Sequence, residues 1–244
     1  MSFNDGGLYK YLLDSNVAGE SIFYLLFALI VIVSSYLLGS INSAIIVSKT
    51  MYKDDIRNHG SGNAGLTNML RTYGLGAAAL TLLGDMLKTA LAIFFTSFFL
   101  GISYSGGISL GGGYCYLAGL SAVLGHVYPI FYGFKGGKGV LATATMALIL
   151  TPVPFAILIL TFIVIVFFSR YVSLGSICVA LLYPVTVVGY VFLRPSSPAI
   201  PLLTVICSII LAVFIVWCHR SNIKRIIDGS ERKISIGGKK KKDE

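Results

Sequence analysis

Between two apolar stretches of this chain lies Gly133-Phe134-Lys135-Gly136-Gly137-Lys138-Gly139-Val140. Glycine N–H groups can converge on one point, because no Cβ blocks strained φ/ψ values or close approach. The residues that follow, Leu141-Ala142-Thr143-Ala144-Thr145-Met146, read as the first turns of a helix. A helix opening on such a loop offers orphan donors and a positive dipole end to an anion. Gly136, Gly137 and Gly139, with the charges of Lys135 and Lys138, therefore read as a phosphate cradle at a membrane face. The spacing is not that of the nucleotide P-loop, because three residues rather than four separate Gly133 from Gly137, and Gly139 stands where a hydroxyl residue belongs. The other reading is a flexible connector with lysines at the lipid headgroups.

A second loop has the same make-up: Gly60-Ser61-Gly62-Asn63-Ala64-Gly65-Leu66-Thr67-Asn68-Met69-Leu70-Arg71. Asn63, Thr67 and Asn68 offer short amide and hydroxyl donors to a substrate, and Arg71 offers a planar fork for phosphate oxygens. Ser61 could position a substrate hydroxyl or offer a proton. A Gly/Asn turn with a helix N-cap would account for a single residue of this run and leave the rest unexplained. A third stretch, His219-Arg220-Ser221-Asn222-Ile223-Lys224-Arg225-Ile226-Ile227-Asp228-Gly229-Ser230-Glu231, follows the last apolar run. His219 and Asn222 are three apart and so share a helix face. They read as site groups or as part of a basic juxtamembrane anchor, which is the stronger reading for Arg220, Lys224 and Arg225.

Asp85 and Lys88 lie inside an apolar run, where ionisable groups are costly and are usually paired or functional. Their spacing makes them an internal pair. His126 reads as a brace of the glycine loop rather than a catalyst. Several chemistries find no residues. No His is followed by Asp five positions on, no G-x-S-x-G elbow occurs, no His/Cys/carboxylate cluster suggests a metal, and the four cysteines form no CxxC pair. Neither a metal nor another cofactor is expected.

These loops need a scaffold. The 244 residues are 56% hydrophobic and 12% charged, against about 25% charged in soluble domains, and the mean hydropathy is +0.84. Long apolar runs recur, which makes an all-α, polytopic membrane protein. Lys138–Ser169 is ambiguous. As one helix it would measure ~48 Å against a hydrocarbon core of ~30 Å; Pro152-Val153-Pro154 would split it into two at the far surface. Charge decides. With seven transmembrane helices and the N-terminus outside, Lys10 and Arg194 lie outside and Lys88 within the membrane, and every other one of the 19 Lys and Arg faces the cytoplasm, as does the C-terminus. With six helices the basic tail would lie outside and the bias would collapse. The expected organisation is a polar segment 1–20 outside, a seven-helix domain over 21–236 and a lysine-rich cytoplasmic tail over 237–244. Residues 1–20 lack the basic region and cleavage site of a signal peptide. The net charge of +9 reflects loops and tail facing the bilayer, and no nucleic-acid partner is expected.

As a set in this order, the loops resemble the bacterial acyl-phosphate:glycerol-3-phosphate acyltransferases of the PlsY type. The resemblance is carried by Gly60-Ser61-Gly62-Asn63 to Thr67-Asn68-Met69-Leu70-Arg71, Gly125-His126 to Phe134-Lys135-Gly136-Gly137-Lys138-Gly139-Val140, Arg170-Tyr171-Val172-Ser173-Leu174-Gly175-Ser176, and His219-Arg220-Ser221-Asn222-Ile223 to Gly229-Ser230-Glu231, spanning about residues 21–236. It implies seven helices in a bacterial cytoplasmic membrane, with the site at the cytoplasmic face. It implies transfer of a fatty acyl group from acyl phosphate to the 1-hydroxyl of glycerol 3-phosphate, giving lysophosphatidic acid and phosphate, the first step of phospholipid synthesis. By motif position, Ser61, Arg71, Lys138, His219 and Asn222 are the polar centre, the 136–139 glycines the phosphate cradle, and Glu231 a structural brace. Leu66 stands where the family usually has Ala, and Thr89 where Gly usually follows Asp-x-x-Lys. Neither departure removes a polar site group.

The residues suit direct transfer. Both substrates carry phosphate and need basic loops, and the acyl chain needs an apolar slot between helices. Acyl phosphate is already activated, so no enzyme nucleophile is required, and N–H donors can hold the developing oxyanion. No general base stands out. The donor phosphate is expected to accept the hydroxyl proton, with proximity contributing most of the rate. The rival reading is a transporter of an anionic phosphorylated solute. Against it, no inverted repeat is evident and the basic groups cluster at one face rather than the midplane.

Overall fold

The computed structural model describes residues 20–100, 110–193 and 202–234. Nearly all of the 1–20 segment, most of the glycine- and serine-rich turn at 101–113, the turn at 194–198 and the 237–244 tail lie outside the described residues. Among the described residues the chain forms ten α-helices and no strand. They are α1 (Glu20–Ser40), α2 (Ser43–Met51), α3 (Leu66–Tyr73), α4 (Leu75–Leu100), α5 (Leu110–Val127), α6 (Val140–Leu150), α7 (Pro152–Ser169), α8 (Val172–Phe192), α9 (Leu202–Cys218) and α10 (Arg220–Ile227).

A helix satisfies its backbone internally, which lipid demands, and the outward side chains here are apolar. Leu29, Phe95, Leu160, Val185 and Val213 all lie exposed on the outer surface. Five stretches are long and apolar enough to cross a membrane: Leu25–Met51, Leu75–Phe99, Gly113–Tyr132, Pro152–Ser169 and Val172–Tyr190. α9 and α10 add a sixth if counted as one span bent by 55°. The molecule is thus an all-helical integral membrane protein. α6 is apolar but has only 11 residues, a rise of ~16 Å or about half a hydrocarbon core.

The paired prolines split the run in two as expected, but at the buried Thr151, after a helix only about half a hydrocarbon core long, rather than at the far surface where the spacing put the turn. α6 ends at Leu150, Thr151 is the joint, and Pro152 opens α7, where a missing N–H costs nothing. The first apolar stretch, Leu25–Met51, is not one rod. It breaks at Ile41-Asn42, and Asn42 caps α2 by accepting from Ile45 N at 3.0 Å. The stretch from Leu66 is a separate helix, α3, rather than loop.

Glycine sets how closely α1 and α5 approach. A Cβ on Gly39 would enter the backbone of Ala122, and one on Gly125 that of Tyr36 and Ser40. Small residues at such a crossing let helix backbones pack directly, and this pair is the most extensive among the described helices. The main core gathers Ile93 of α4, Val123 of α5, Met146 of α6, Leu158 of α7, Tyr183 of α8 and Leu211 of α9. A smaller cluster of Ile45, Ile56, Ala64 and Met69 seats α3 and the loop before it.

Candidate active site

The three loops meet at one end of the bundle, around a cavity of about 550 Å³. Ser61, Asn63, Thr67, Arg71, Lys138, Gly139, His219 and Asn222 line its polar head. An apolar arm runs inward between α6, α7 and α8, lined by Ala144, Ala147, Leu158, Phe162, Val179 and Tyr183.

The shape of the first loop comes from Asn68 on α3. Its Nδ2 donates to the carbonyls of Ile56 at 3.2 Å and His59 at 3.0 Å, and its Oδ1 accepts from Ser61 N at 3.1 Å. Asn68 is buried, and these bonds use the amide. It thereby presents Ser61, and it lines the cavity together with Asn63 and Thr67. Gly60 turns the chain at φ +58, and a Cβ there would strike Asn68. Arg71 reaches the third stretch, donating from Nη2 to Arg232 O at 3.1 Å.

The glycine loop is tied down differently from a free cradle. Gly136 N donates to Val127 O and Gly137 N to His126 O, both at 3.1 Å. These carbonyls end α5 and have no intrahelical donors, so the loop caps that helix. A Cβ on Gly136 would strike His126 O, and one on Gly137 would strike the His126 ring and lie 2.9 Å from Ala64 O. Gly139, at φ +79, then turns the chain into α6. Lys138, Gly139 and the first turn of α6 (Val140, Leu141, Thr143) line the cavity, whereas Gly136 and Gly137 do not. Lys135 is exposed and also lies off it.

Behind this loop sits the intramembrane pair. Lys88 Nζ lies 2.9 Å from Asp85 Oδ1, donates to Ile41 O at 2.8 Å and lies 3.0 Å from His126 Nδ1. The ammonium satisfies a carbonyl freed by the α1–α2 break. His126, whose own carbonyl holds Gly137, joins this cluster to the loop.

The third stretch builds a network around Glu231. Asn222 Nδ2 donates to Glu231 Oε1 at 2.7 Å, Ser173 Oγ to the same oxygen at 2.8 Å, and Arg225 Nε to Oε2 at 2.7 Å. Burial pushes the Glu231 carboxyl up, but these bonds outweigh it and hold the group below its ordinary range. Lys138 Nζ donates to Asn222 Oδ1, so the lysine is aimed by a residue that the glutamate aims. Burial, then the nearby Arg225 charge, pushes Lys138 down to about 8. His219 Nδ1 lies 2.8 Å from Ile215 O. A carbonyl can only accept, so Nδ1 carries the proton and Nε2 of the neutral ring is left as an acceptor.

Comparison with known proteins fits this geometry. The family model described as glycerol-3-phosphate acyltransferase matches residues 29–229. The chain belongs to the glycerol-3-phosphate acyltransferase family. A relative of that name from Syntrophomonas wolfei is 44% identical over 204 residues, covering 84% of this chain and 95% of the relative. Another, from Salinibacter ruber, is 42% identical over 212 residues, covering 84% and 92%. Among solved structures, PlsY (YgiH), an integral membrane glycerol 3-phosphate acyltransferase, matches in its glycerol 3-phosphate form with a TM-score of 0.73 and 32% identity, covering 85% of this chain and 96% of that one. Its lysophosphatidic acid form matches with a TM-score of 0.70 and 31% identity, covering 85% and 95%.

Within this family member, most of the residues singled out from sequence converge on one cavity, from Ser61 and Arg71 through Lys138 to His219, Asn222 and Glu231. Sequence reasoning missed Thr143, whose buried hydroxyl at the cavity has no hydrogen-bond partner among the described residues. Its only sequence signal is its place one turn into α6. It also missed Arg57, discussed below.

Proposed function

We propose that this protein is an integral membrane enzyme that transfers a fatty acyl group from an acyl phosphate to the 1-hydroxyl of glycerol 3-phosphate. The observation that carries the proposal is the cavity itself, which joins a cationic head to an apolar arm. Such a shape suits a phosphate with a long acyl chain attached and leaves the head open for a second, small phosphorylated substrate. Arg71, Lys138 and the first turn of α6 hold the phosphates. Each charge-assisted bond contributes about 1.5–3 kcal/mol.

In the reaction, the glycerol 3-phosphate hydroxyl oxygen bonds to the acyl carbon, and the bond from that carbon to the phosphate oxygen breaks. The hydroxyl proton leaves with the phosphate, and lysophosphatidic acid remains. Ser61 aligns the acceptor hydroxyl, and His219 Nε2 accepts a hydrogen bond from the substrate. Holding both substrates in one head converts a two-body encounter into a local step, so no acyl-enzyme is required. The head faces the cytoplasm of a bacterial cell membrane, with seven membrane segments and an external N-terminus, as the charge distribution supports. The transporter reading finds no support, since the relatives found are acyltransferases.

The test is protein reconstituted in liposomes with labelled glycerol 3-phosphate. Label extractable into organic solvent, formed only when palmitoyl phosphate is present and matched by released phosphate, is expected. Unmodified label accumulating inside the vesicles would instead mean transport.

A further inference from the structure

The apolar arm has a floor. On α8 the cavity lining runs from Val172 to Tyr183 and stops; on α7 the deepest lining residues are Phe155 and Leu158. Tyr183 is 2% exposed and packs in the same filled core as Tyr116 and Val187. Its hydroxyl is buried without a hydrogen-bond partner among the described residues, although Tyr116 and Thr151 are neighbours. Below the ring the cavity lining does not continue on α8, and the ring is backed by Tyr116, Val187 and Cys207 of the main core.

The rise along α8 from Ser173 to Tyr183 is ~15 Å. That is about half of a ~30 Å hydrocarbon core, the depth of one leaflet's acyl chains. Ser173 belongs to the polar network through Glu231, so this rise measures from the reacting head to the floor.

We infer that Tyr183 is a chain-length stop, its ring meeting the acyl terminus and fixing the longest acyl group transferred efficiently. The inference rests on the acyl-transfer reading of the same cavity. Up to the floor, every added methylene buries more apolar surface. Past it, the chain must displace a close-packed ring or leave part of itself outside the arm. One methylene in an apolar pocket separates substrates by about 10- to 200-fold in kcat/KM, which gives a sharp cut-off. Ala180 lies one helical turn nearer the head on the same face and also lines the arm. Its small side chain leaves the way to Tyr183 open.

The experiment measures kcat/KM for saturated acyl phosphates of graded length with wild type, Tyr183→Ala, Tyr183→Phe and Ala180→Leu. Tyr183→Ala is expected to move the longest accepted chain up by about two carbons or more, since the deleted phenol vacates the volume of several methylenes. Tyr183→Phe should keep the wild-type cut-off, because the ring and not its hydroxyl is the stop. Ala180→Leu should move the cut-off to shorter chains, and it decides the matter if Tyr183→Ala does not fold. A length profile unmoved in an active Ala180→Leu enzyme, or in an active Tyr183→Ala enzyme, overturns the stop while leaving acyl transfer intact. Absence of transfer by wild type at every length would instead sink the functional reading on which it rests.

Discussion

Arg57 Nη1 donates to the Tyr132 carbonyl at 2.7 Å, while the same guanidinium holds Asp55 through Nε at 2.9 Å and Nη2 at 2.7 Å. The Arg57 bond holds the Asp55 carboxyl down at about 2. This clasp ties the segment before Ser61 to the segment before Lys138, so it sets the distance between two halves of the polar head without touching the cavity.

Breaking the clasp should therefore loosen both substrate sites together. For Arg57→Ala we expect KM to rise for both substrates by about 10-fold, the loss of roughly one charge-assisted bond. Arg57→Lys should recover only part, because an ammonium lacks the planar fork that holds both Asp55 oxygens while reaching Tyr132 O. Steady-state kinetics with each substrate varied in turn checks this. A change confined to one substrate would show that the clasp serves one loop only.

Gly137 and Gly133 should separate packing from loop freedom. Ala at Gly137 meets the His126 ring and Ala64 O, whereas a Cβ at Gly133 meets nothing within 4 Å despite φ +66. Gly137→Ala should lower both Tm and activity, since it unseats the loop from the end of α5. Gly133→Ala should cost only the left-handed strain, about 1–2 kcal/mol, with near-normal kinetics. Thermal unfolding beside kinetics distinguishes the two. A Gly137→Ala enzyme with unchanged Tm and weakened phosphate binding would restore the free-cradle reading.

How much of this was legible depends on how local each signal was. The two Gly/Lys/Arg loops, the nearness of His219 and Asn222, the Asp85–Lys88 pair and the break at Pro152 follow from neighbours in sequence, although His219 stands at the 55° bend between α9 and α10 rather than on a continuous helix face with Asn222. What Gly136 and Gly137 do with their N–H groups does not, because it depends on the carbonyls ending α5. Asn68 looked like a substrate donor because its acceptors, Ile56 and His59, belong to a turn that only the fold brings beneath it. The apolar arm was invisible as a set of residues. An Ala or Phe in a membrane helix has the same sequence signature whether it faces lipid, core or cavity, so Tyr183 and Leu158 could not be told from their neighbours.

Lys138 gives a pH signature. Its ammonium is pushed down to about 8, chiefly by burial, so the charge proposed to hold phosphate is present below that pH and lost above it. The kcat/KM profile, which reports the free enzyme, should fall on an alkaline limb near 8. In Lys138→Arg the limb should move well upward, because a guanidinium does not deprotonate in this range. An identical limb in that variant would assign it to another group.

Orientation is tested by cysteine accessibility in a background lacking the four native cysteines. A cysteine at Asn58 or Ser230 should be shielded from an impermeant maleimide in intact cells, and one at Ser196 should label. Labelling at Asn58 from outside would invert the topology and with it the cytoplasmic site.

The central claim is direct transfer between two phosphorylated substrates held in one head. Its most direct test is single-turnover reaction with acyl-labelled acyl phosphate, first without glycerol 3-phosphate and then with it. The account predicts no label on protein in the first phase and immediate labelled lysophosphatidic acid, with an equal amount of phosphate, in the second. Ser61→Ala should slow that second phase rather than weaken binding, if Ser61 aligns the acceptor as proposed. Stable label on wild-type protein at Ser61 before acceptor is added would contradict direct transfer and make Ser61 a nucleophile.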